Sequence, residues 1–461
     1  MKVSHLICLI IITTLGGCTS VTQYHPWTAD GCPVLQNAVY DGKNLVSHDC
    51  HDPVIPENAS VSYKYGFIEF DEYGNLLQKA AFSQLLKSIR QVKEDVLVVT
   101  YIHGWNHSAA DDDDDVREFK LAMRNIALMD KNSGRTVIGL YVGWRGLVTS
   151  ISPLKYLTFW DRKSTAHIIG NGAVTEVLLR LDKENSGRNG PALAQGAVGP
   201  NRLVFIGHSF GAAVLYSALS PVLVARFIQH TQFDPIDPQT EPGCSVNAVA
   251  PKTVGNLVVL INPAFEAMRF STLHKLSKDC HFPPEQPPLI AVITGTNDEA
   301  TGSLFPIARY VRTIWQKYAD ADTYPDTREE GLKANSLALG HYPTYLTHTL
   351  KAEVPEDQSK SAQTFEGCEG YVDPSRQRLM MQATRINDDT ARGTEFINHS
   401  TGDRFKLILE PQGKYPNYNP ILNIAAYPPI IDGHGGIYSC QLMSFIGGLI
   451  TQSPTPLTPQ R

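Results

Sequence analysis

The chain has 461 residues, with 40 Lys and Arg against 46 Asp and Glu and a formal net charge of −6. A chain of this length can bury one large core with insertions or two modest ones. The acidic balance and the lack of a basic cluster in the sequence argue against nucleic acid as a partner.

The chain begins MKVSHLICLIIITTLGGCTS, which has the layout of a secretory signal. The apolar run from Leu6 to Leu15 is too short for a permanent membrane span. Leu15-Gly16-Gly17-Cys18 resembles the lipobox of bacterial lipoproteins, in which the cysteine is lipidated and becomes the first mature residue. We therefore expect residues 1–17 to be a lipoprotein signal peptide and Cys18 to carry a membrane anchor. A plain cleaved signal peptide is the alternative. Thr and Ser after Cys18, instead of Asp, imply by the same resemblance the outer membrane of a bacterial envelope.

Six cysteines remain after the predicted signal peptide and Cys18. They are Cys32, Cys50, Cys244, Cys280, Cys368 and Cys440. An even number in an exported chain indicates disulfides, although the sequence alone leaves the connectivity open. The expected pairs are Cys32–Cys50, Cys244–Cys280 and Cys368–Cys440. No CxxC or His-rich pairing is present, so a structural zinc site is not expected.

Six short apolar, β-branched runs recur along the chain. They cover residues 96–102, 136–144, 202–209, 257–265, 289–295 and 421–427. Near-continuous hydrophobicity, without alternation, indicates strands that are buried on both faces. Helical patterns at 116–129 and 165–181 lie between the first three runs and imply right-handed crossovers. The expected fold class is therefore α/β, with a doubly wound and mostly parallel sheet.

Two segments depart from this pattern. Residues 62–77 predict an opening hairpin with its turn at 73–75, which would form an antiparallel edge. A helix is predicted at 303–318, after which residues 320–415 are polar and broken by Pro and Gly. Because that length exceeds what one crossover needs, we interpret it as a cap or insertion between the last two strands. The domain plan is then an N-terminal tether and disulfide segment (18–58), the core (59–319), the cap, and a final strand, histidine loop and helix (416–461).

The third apolar run ends in Gly207-His208-Ser209-Phe210-Gly211 and continues as an Ala-rich stretch. Ligands of a parallel sheet bind beyond the carboxyl ends of its strands. A serine on a sharp turn there is held out from the backbone, and a Cβ at Gly207 or Gly211 would collide with the adjoining strand or helix. An ordinary Gly-rich turn is the alternative. The position between strand and helix favours a nucleophile at Ser209.

A serine nucleophile needs a base to take its proton and an acid to orient that base. Asp298 follows the run 289–295, on the same side of the sheet as Ser209, although an Asp there could simply cap the next helix. Glu299 is the nearest substitute. For the base, the Gly-rich loop after the last strand favours His434, and His341 is its rival.

An oxyanion hole is expected from the backbone N–H groups of Phe210 and Trp105. Trp105 belongs to the loop His103-Gly104-Trp105-Asn106-His107, which follows the first apolar run. A simple polar turn is the alternative for that loop. The five Asp at 111–115 indicate the start of a helix and not a Ca²⁺ site, because contiguous carboxylates cannot all converge on one ion.

With these motifs the chain resembles the α/β-hydrolase superfamily, in an esterase- or lipase-like branch found in bacteria and fungi. The matching stretches are FIEFDEYGNL (67–76), YIHGWNHSA (101–109), GLYVGWRG (139–146), FWDRKSTA (159–166), GHSFGA (207–212), TGTNDEATGSLFP (294–306) and DGHGGI (432–437). The resemblance implies a serine hydrolase that cleaves small-molecule or lipid esters with Ser209, Asp298 and His434 as its triad. An acyltransferase acting on a lipid or glycan acceptor would use the same residues, and a non-catalytic envelope lipoprotein is the third possibility.

Overall fold

The structure is a computed structural model. It describes residues 22–29, 31–41, 44–47, 61–146, 159–194, 199–233, 243–246, 254–283, 286–306, 328–355, 368, 371–372, 392–398, 404–413 and 415–451. The predicted signal peptide, the predicted lipidation site at Cys18, and Cys50 lie outside the described residues.

The strands fall into two sheets. They are β1 (Gln36–Asp41), β2 (Asn44–Ser47), β3 (Val61–Glu69), β4 (Val96–Ile102), β5 (Thr136–Gly143), β6 (Arg202–His208), β7 (Thr231–Phe233), β8 (Cys244–Val246), β9 (Leu257–Ile261), β10 (Cys280–His281), β11 (Ile290–Gly295), β12 (His348–Glu353), β13 (Tyr371–Val372), β14 (Arg392–Asn398), β15 (Arg404–Pro411) and β16 (Ile421–Ala426). The large sheet has the order β13-β14-β15-β12-β16-β11-β9-β6-β4-β5-β3-β1-β2, and β10-β8-β7 form a small separate sheet.

The middle of the large sheet is parallel throughout, from β12 to β3. All six apolar runs of the sequence form strands in this block, namely β4, β5, β6, β9, β11 and β16. Their side chains are buried along the whole length of most of these strands because both faces of the sheet are covered. The expected α/β class with a mostly parallel sheet is therefore confirmed. Both edges of the sheet are antiparallel, so the sheet as a whole is mixed.

Helices cover both faces of the sheet. They are α1 (Lys79–Gln91), α2 (Asp114–Asp130), α3 (Phe159–Gly170), α4 (Ala173–Ala194), α5 (Phe210–Gln229), α6 (Ser271–Asp279), α7 (Arg328–Ser336) and α8 (Cys440–Thr451). One hydrophobic cluster joins the sheet to α1, α3, α4, α5 and α6, and a second joins it to α2 and α8. Among the described helices, only α5 is long and apolar enough to cross a membrane, but it is a largely buried core helix in this fold.

Two local predictions are corrected in part by the structure. The segment 62–77 is not an antiparallel hairpin edge, because β3 pairs in parallel with β5, and β1 supplies the antiparallel neighbour on its other side. The predicted turn itself is present: Phe70 and Leu76 form an antiparallel bridge across it, and the Asp71 N–H donates to the Asn75 carbonyl oxygen at 3.0 Å. The helical pattern at 165–181 is interrupted, so that it forms the end of α3 and the start of α4. At the interruption the backbone of Gly172 packs against the turn at Gly74, and a Cβ on Gly172 would lie 2.9 Å from the Gly74 carbonyl oxygen.

The described parts of 320–415 continue the large sheet: β12 pairs in parallel with β16, and β15 and β14 follow in antiparallel order. The cap itself stays a prediction, since much of this segment lies outside the described residues, as does the predicted helix 303–318 beyond residue 306. Cys244–Cys280 and Cys368–Cys440 are disulfides, as predicted. Cys32 is also disulfide-bonded.

Candidate active site

Ser209 lies at the turn from β6 into α5, at the carboxyl edge of the parallel block. Its backbone has φ 56° and ψ −118°, a conformation that costs energy for any residue with a Cβ. The two glycines allow the turn. A Cβ on Gly207 would lie 2.7 Å from the Ala212 Cα, and a Cβ on Gly211 would lie 2.1 Å from the Ile102 carbonyl oxygen. The chain can therefore present Ser209 in this way only with glycine at both places.

The structure brings the three predicted triad residues together. His434 Nε2 lies 2.7 Å from Ser209 Oγ, and His434 Nδ1 lies 2.8 Å from Asp298 Oδ2. Since a carboxylate only accepts hydrogen bonds, the ring donates its Nδ1–H to Asp298 and leaves the Nε2 lone pair for the serine hydroxyl. This arrangement can remove the proton from Ser209 as the hydroxyl attacks an electrophile.

Asp298 follows β11, and its side chain is fully buried. Burial alone would raise the pKa of this carboxyl. The hydrogen bond and charge of His434, together with hydrogen bonds from Thr301, outweigh burial and hold the pKa below its ordinary value of 3.8. Asp298 also accepts from the Ala300 N–H at 3.0 Å. It therefore caps the following helical turn and orients His434 at the same time, while the alternative acid Glu299 is exposed.

His341, the rival base in the sequence, lies behind Asp298. Its Nε2 is 2.9 Å from Thr301 Oγ1, and the Thr301 hydroxyl in turn donates to Asp298 Oδ2. Because the hydroxyl proton goes to the carboxylate, His341 donates its Nε2–H to Thr301. Burial lowers the pKa of His341, so the ring is neutral at pH 7. The hydrogen-bonded chain runs from Ser209 through His434, Asp298 and Thr301 to His341.

The loop that carries His434 is fixed through its backbone. The His434 carbonyl oxygen accepts from Asn262 Nδ2 at 2.8 Å and from His208 Nε2 at 3.0 Å. Asn262 is completely buried, has a positive φ of 44°, and accepts the Gly295 N–H at 2.9 Å with its Oδ1. Burial and the neighbouring His434 lower the pKa of His208 to about 3, so its ring stays neutral.

Sequence reasoning missed Asn262 because an Asn after a strand is an ordinary turn residue.

The predicted oxyanion loop lies against the nucleophile. A Cβ on Gly104 would lie 3.0 Å from the Ser209 Cβ. His103 donates its Nδ1–H to the Gly104 carbonyl oxygen at 2.8 Å, and its Nε2 accepts the Trp144 N–H at 3.1 Å. In a trans peptide the C=O and N–H groups point in opposite directions, so this bond turns the Trp105 N–H away from His103. Burial lowers the pKa of His103 to about 4, which keeps it neutral in this role.

The first turn of α5 is the second part of the predicted oxyanion hole. Phe210 is the first residue of α5, directly after Ser209. The N–H groups of a first helical turn point outward along the helix axis, and the helix dipole adds positive charge at that end. Phe210 and Trp105 therefore come from the two backbone segments that flank Ser209. Their role as donors stays a prediction.

The acidic run begins α2, as predicted: Asp113 is its N-cap and accepts the Asp115 N–H at 2.9 Å. Asp115 is buried and accepts from the hydroxyl groups of Tyr101, Tyr141 and Tyr438. Among the described residues no group of His, Cys, Asp and Glu is arranged to hold a metal ion.

A cavity of about 720 Å³ adjoins the site. It lies between the start of α2 and the loop after His434, and His208, His107 and Tyr438 are among the residues that line it.

Comparison with protein-family models, curated proteins and solved structures found no match to this chain. The case for a function therefore depends on the geometry of the site.

Proposed function

We propose that this protein is a serine hydrolase of the α/β-hydrolase kind that cleaves carboxylic esters. One observation carries the proposal: an unbroken hydrogen-bonded series joins Ser209 Oγ, His434 and Asp298, with distances of 2.7 and 2.8 Å, at the carboxyl edge of a parallel sheet. The three residues come in the chain order Ser, acid, His and from the ends of three different strands. A structural network has no need for a strained serine at a helix N-terminus.

The first half of the reaction forms an acyl-enzyme. Ser209 Oγ attacks the acyl carbon while its proton passes to His434 Nε2. The negative charge on the former carbonyl oxygen is stabilised by the N–H groups of Phe210 and Trp105. When the intermediate collapses, the C–O bond to the alcohol breaks and His434 returns its proton to the leaving alkoxide. Asp298 keeps the imidazole in the required tautomer and stabilises the imidazolium.

The second half releases the acid. A water molecule gives its proton to His434 and adds to the acyl carbon, after which the bond to Ser209 Oγ breaks and the serine regains a proton from His434. No step in this scheme needs a metal or an organic cofactor. We further propose that Cys18 is lipidated and holds the enzyme at the bacterial outer membrane.

The test uses protein without residues 1–18 and a short-chain aryl ester. We expect Ser209→Ala and His434→Ala to lower kcat by about 10⁴-fold or more with an unchanged thermal unfolding temperature. Ser83→Ala is the matched control, because Ser83 is an exposed serine on α1 whose hydroxyl donates to the Lys79 carbonyl. Wild-type activity in Ser209→Ala would overturn the proposal. Product formed with glycerol as acceptor, faster than hydrolysis, would identify an acyltransferase instead.

A further inference from the structure

Residues 22–29, named the N-terminal strap here, lie at the carboxyl edge of the large sheet. The backbone N–H groups of Tyr24 and His25 donate to the two carboxylate oxygens of Glu69, each at 2.8 Å. Glu69 is the last residue of β3 and is only 8% exposed. A nearly buried carboxylate with two charge-assisted hydrogen bonds fixes the strap firmly in this place.

Two further contacts extend the strap along the same edge. The His25 ring stacks on Phe67 with 3.5 Å between centroids, and its Nε2 lies 2.6 Å from the Ala109 carbonyl oxygen. Ala109 follows the predicted oxyanion loop in the chain. The Trp27 N–H donates to Gln78 Oε1 at 2.8 Å. The strap therefore contacts both the end of β3 and the segment that leads from β4 into α2.

The strap and the nucleophile share one edge of the sheet. β3, β5, β4 and β6 are parallel neighbours in that order, so their carboxyl ends point the same way. β3 and β6 are three strand spacings apart, so Glu69 at the end of β3 lies roughly 14 Å across the sheet from Ser209 at the end of β6. From Cys18 to Thr22, where the described chain begins, four extended residues span at most about 14 Å. An acyl anchor on Cys18 would therefore attach within about 14 Å of the first residue of the strap.

The exposed aromatic side chains at this edge suit a lipid surface. Tyr24 in the strap is 44% exposed, Tyr73 in the turn after β3 is 75% exposed, and Tyr427 directly after β16 is 41% exposed. Tyrosine has an apolar ring and a polar hydroxyl, and it is enriched where proteins meet the membrane–water interface. The tyrosines flank the edge on both sides of Ser209, because β3 and β16 lie on opposite sides of β6 in the sheet.

From these relationships we infer that the catalytic edge faces the bilayer, and that the substrate is an ester of a membrane lipid. In this orientation Ser209 lies over the leaflet that carries the acyl chains, where it is held by the Cys18 anchor, the strap and the exposed tyrosines. This inference rests on the proposed function, since it needs both the lipid anchor and the hydrolase. It adds the orientation of the enzyme and the class of its substrate.

The first test lengthens the tether. Full-length lipidated protein is reconstituted in phosphatidylcholine vesicles that contain a fluorogenic diacyl ester, and a soluble aryl ester is assayed in parallel. A flexible Gly/Ser insertion of about 30 residues between Ser20 and Val21 leaves the strap intact. Because a longer tether lowers the effective concentration of the site at the membrane, we expect the vesicle rate to fall by about tenfold or more. The rate on the soluble ester stays unchanged.

The matched control carries the same insertion after Gly134, in the exposed turn between α2 and β5 at the opposite edge. It should keep both rates. Equal vesicle rates with and without the tether insertion overturn the inference. A Cys18 without acyl groups, seen by intact mass, also overturns it. If the lipidated enzyme without an insertion hydrolyses neither ester, the proposed hydrolase function is wrong instead.

The second test measures orientation without activity. Tyr73→Trp and Asn132→Trp place a fluorophore at the catalytic edge and at the opposite edge, in otherwise unchanged lipidated protein. With brominated lipids, we expect quenching beyond that of the parent protein for Tyr73→Trp and none for Asn132→Trp. Equal quenching of the two variants contradicts a membrane-facing catalytic edge.

Discussion

The side-chain amide of Asn262 donates to the carbonyl oxygen of His434 at 2.8 Å, and so connects the end of β9 to the loop that carries the proposed base. The oxygen of the same amide accepts a hydrogen bond from the Gly295 N–H at the end of β11, three residues before Asp298. The completely buried Asn262 side chain thus fixes the distance between the loop that carries His434 and the strand that leads to Asp298. We regard Asn262 as a positioning residue for both.

Replacing Asn262 with Ala should lower kcat on an aryl ester by about 10- to 100-fold with little change in KM. The reason is that a displacement of His434 by about 1 Å can cost 10²-fold in rate. The buried Gly295 N–H also loses its acceptor, while the His434 carbonyl keeps only its hydrogen bond from His208, so the free energy of unfolding should fall by about 1–3 kcal/mol. Asn189→Ala is the control: it removes a buried Asn that bonds Asn201 at the other edge, and it should lower stability alone. An unchanged kcat in Asn262→Ala contradicts the positioning role.

Gly104→Ala should impair catalysis because the new Cβ would lie 3.0 Å from the Ser209 Cβ and 3.1 Å from His208 Nδ1. To relieve these contacts the predicted oxyanion loop has to move, and loss of one oxyanion donor costs about 10²–10³-fold in kcat. Gly187→Ala in α4 is the matched control, since a Cβ there meets nothing within 4 Å. It should raise stability by about 0.5–1 kcal/mol at unchanged kcat. Steady-state kinetics and thermal unfolding measure both effects.

His341 is expected to act through Thr301 on Asp298 and not to be the base. His341→Leu removes the donor to Thr301 Oγ1 and should lower kcat about tenfold, while His341→Gln, which keeps an N–H at similar reach, should restore most of the rate. KM should stay constant in both variants. The assignment would be wrong, and His341 would be the base, if kcat of His341→Leu fell to that of His434→Ala and His341→Gln did not restore it.

Buried neutral histidines make the fold acid-sensitive. Burial lowers the pKa of His348 to about 3 in the folded protein, whereas its ordinary value is 6.5. Between these values the unfolded chain binds a proton that the folded chain does not, so stability falls as pH falls from 6.5 towards 3. His348→Asn should therefore reduce the pH dependence of the unfolding free energy by about 1.4 kcal/mol per pH unit between pH 5.5 and 4.5. Denaturant unfolding at a series of pH values measures the slope, and an identical slope in the variant contradicts the shift.

The strands that the sequence predicts are those covered on both faces, because complete burial leaves a continuous apolar run. β12 was not predicted, since its residues HTLKAE become exposed along its length where the sheet approaches its edge. The sequence predicts a hairpin over 62–77 because turn residues at 73–75 follow the strand. It does not reveal the parallel pairing of β3 with β5, because β5 lies far away in the sequence.

The residues of the candidate site that follow strands could be chosen from the sequence, because strand order alone places Ser209, Asp298 and His434 at one edge. The groups that position them could not. Asn262 resembles a turn residue, and the contact between Glu69 and the strap depends on long-range packing that no local pattern encodes. His341 had a suitable sequence position, but only the fold shows that Thr301 and Asp298 lie between it and the serine.

Covalent labelling with a fluorophosphonate, followed by mass spectrometry of the modified peptide, measures directly whether Ser209 is an activated nucleophile. We expect stoichiometric labelling at Ser209, slowed by at least about 10³-fold in His434→Ala and lost in Ser209→Ala. Labelling at another residue, or no labelling of folded protein, would contradict the claim that Ser209 is an activated nucleophile.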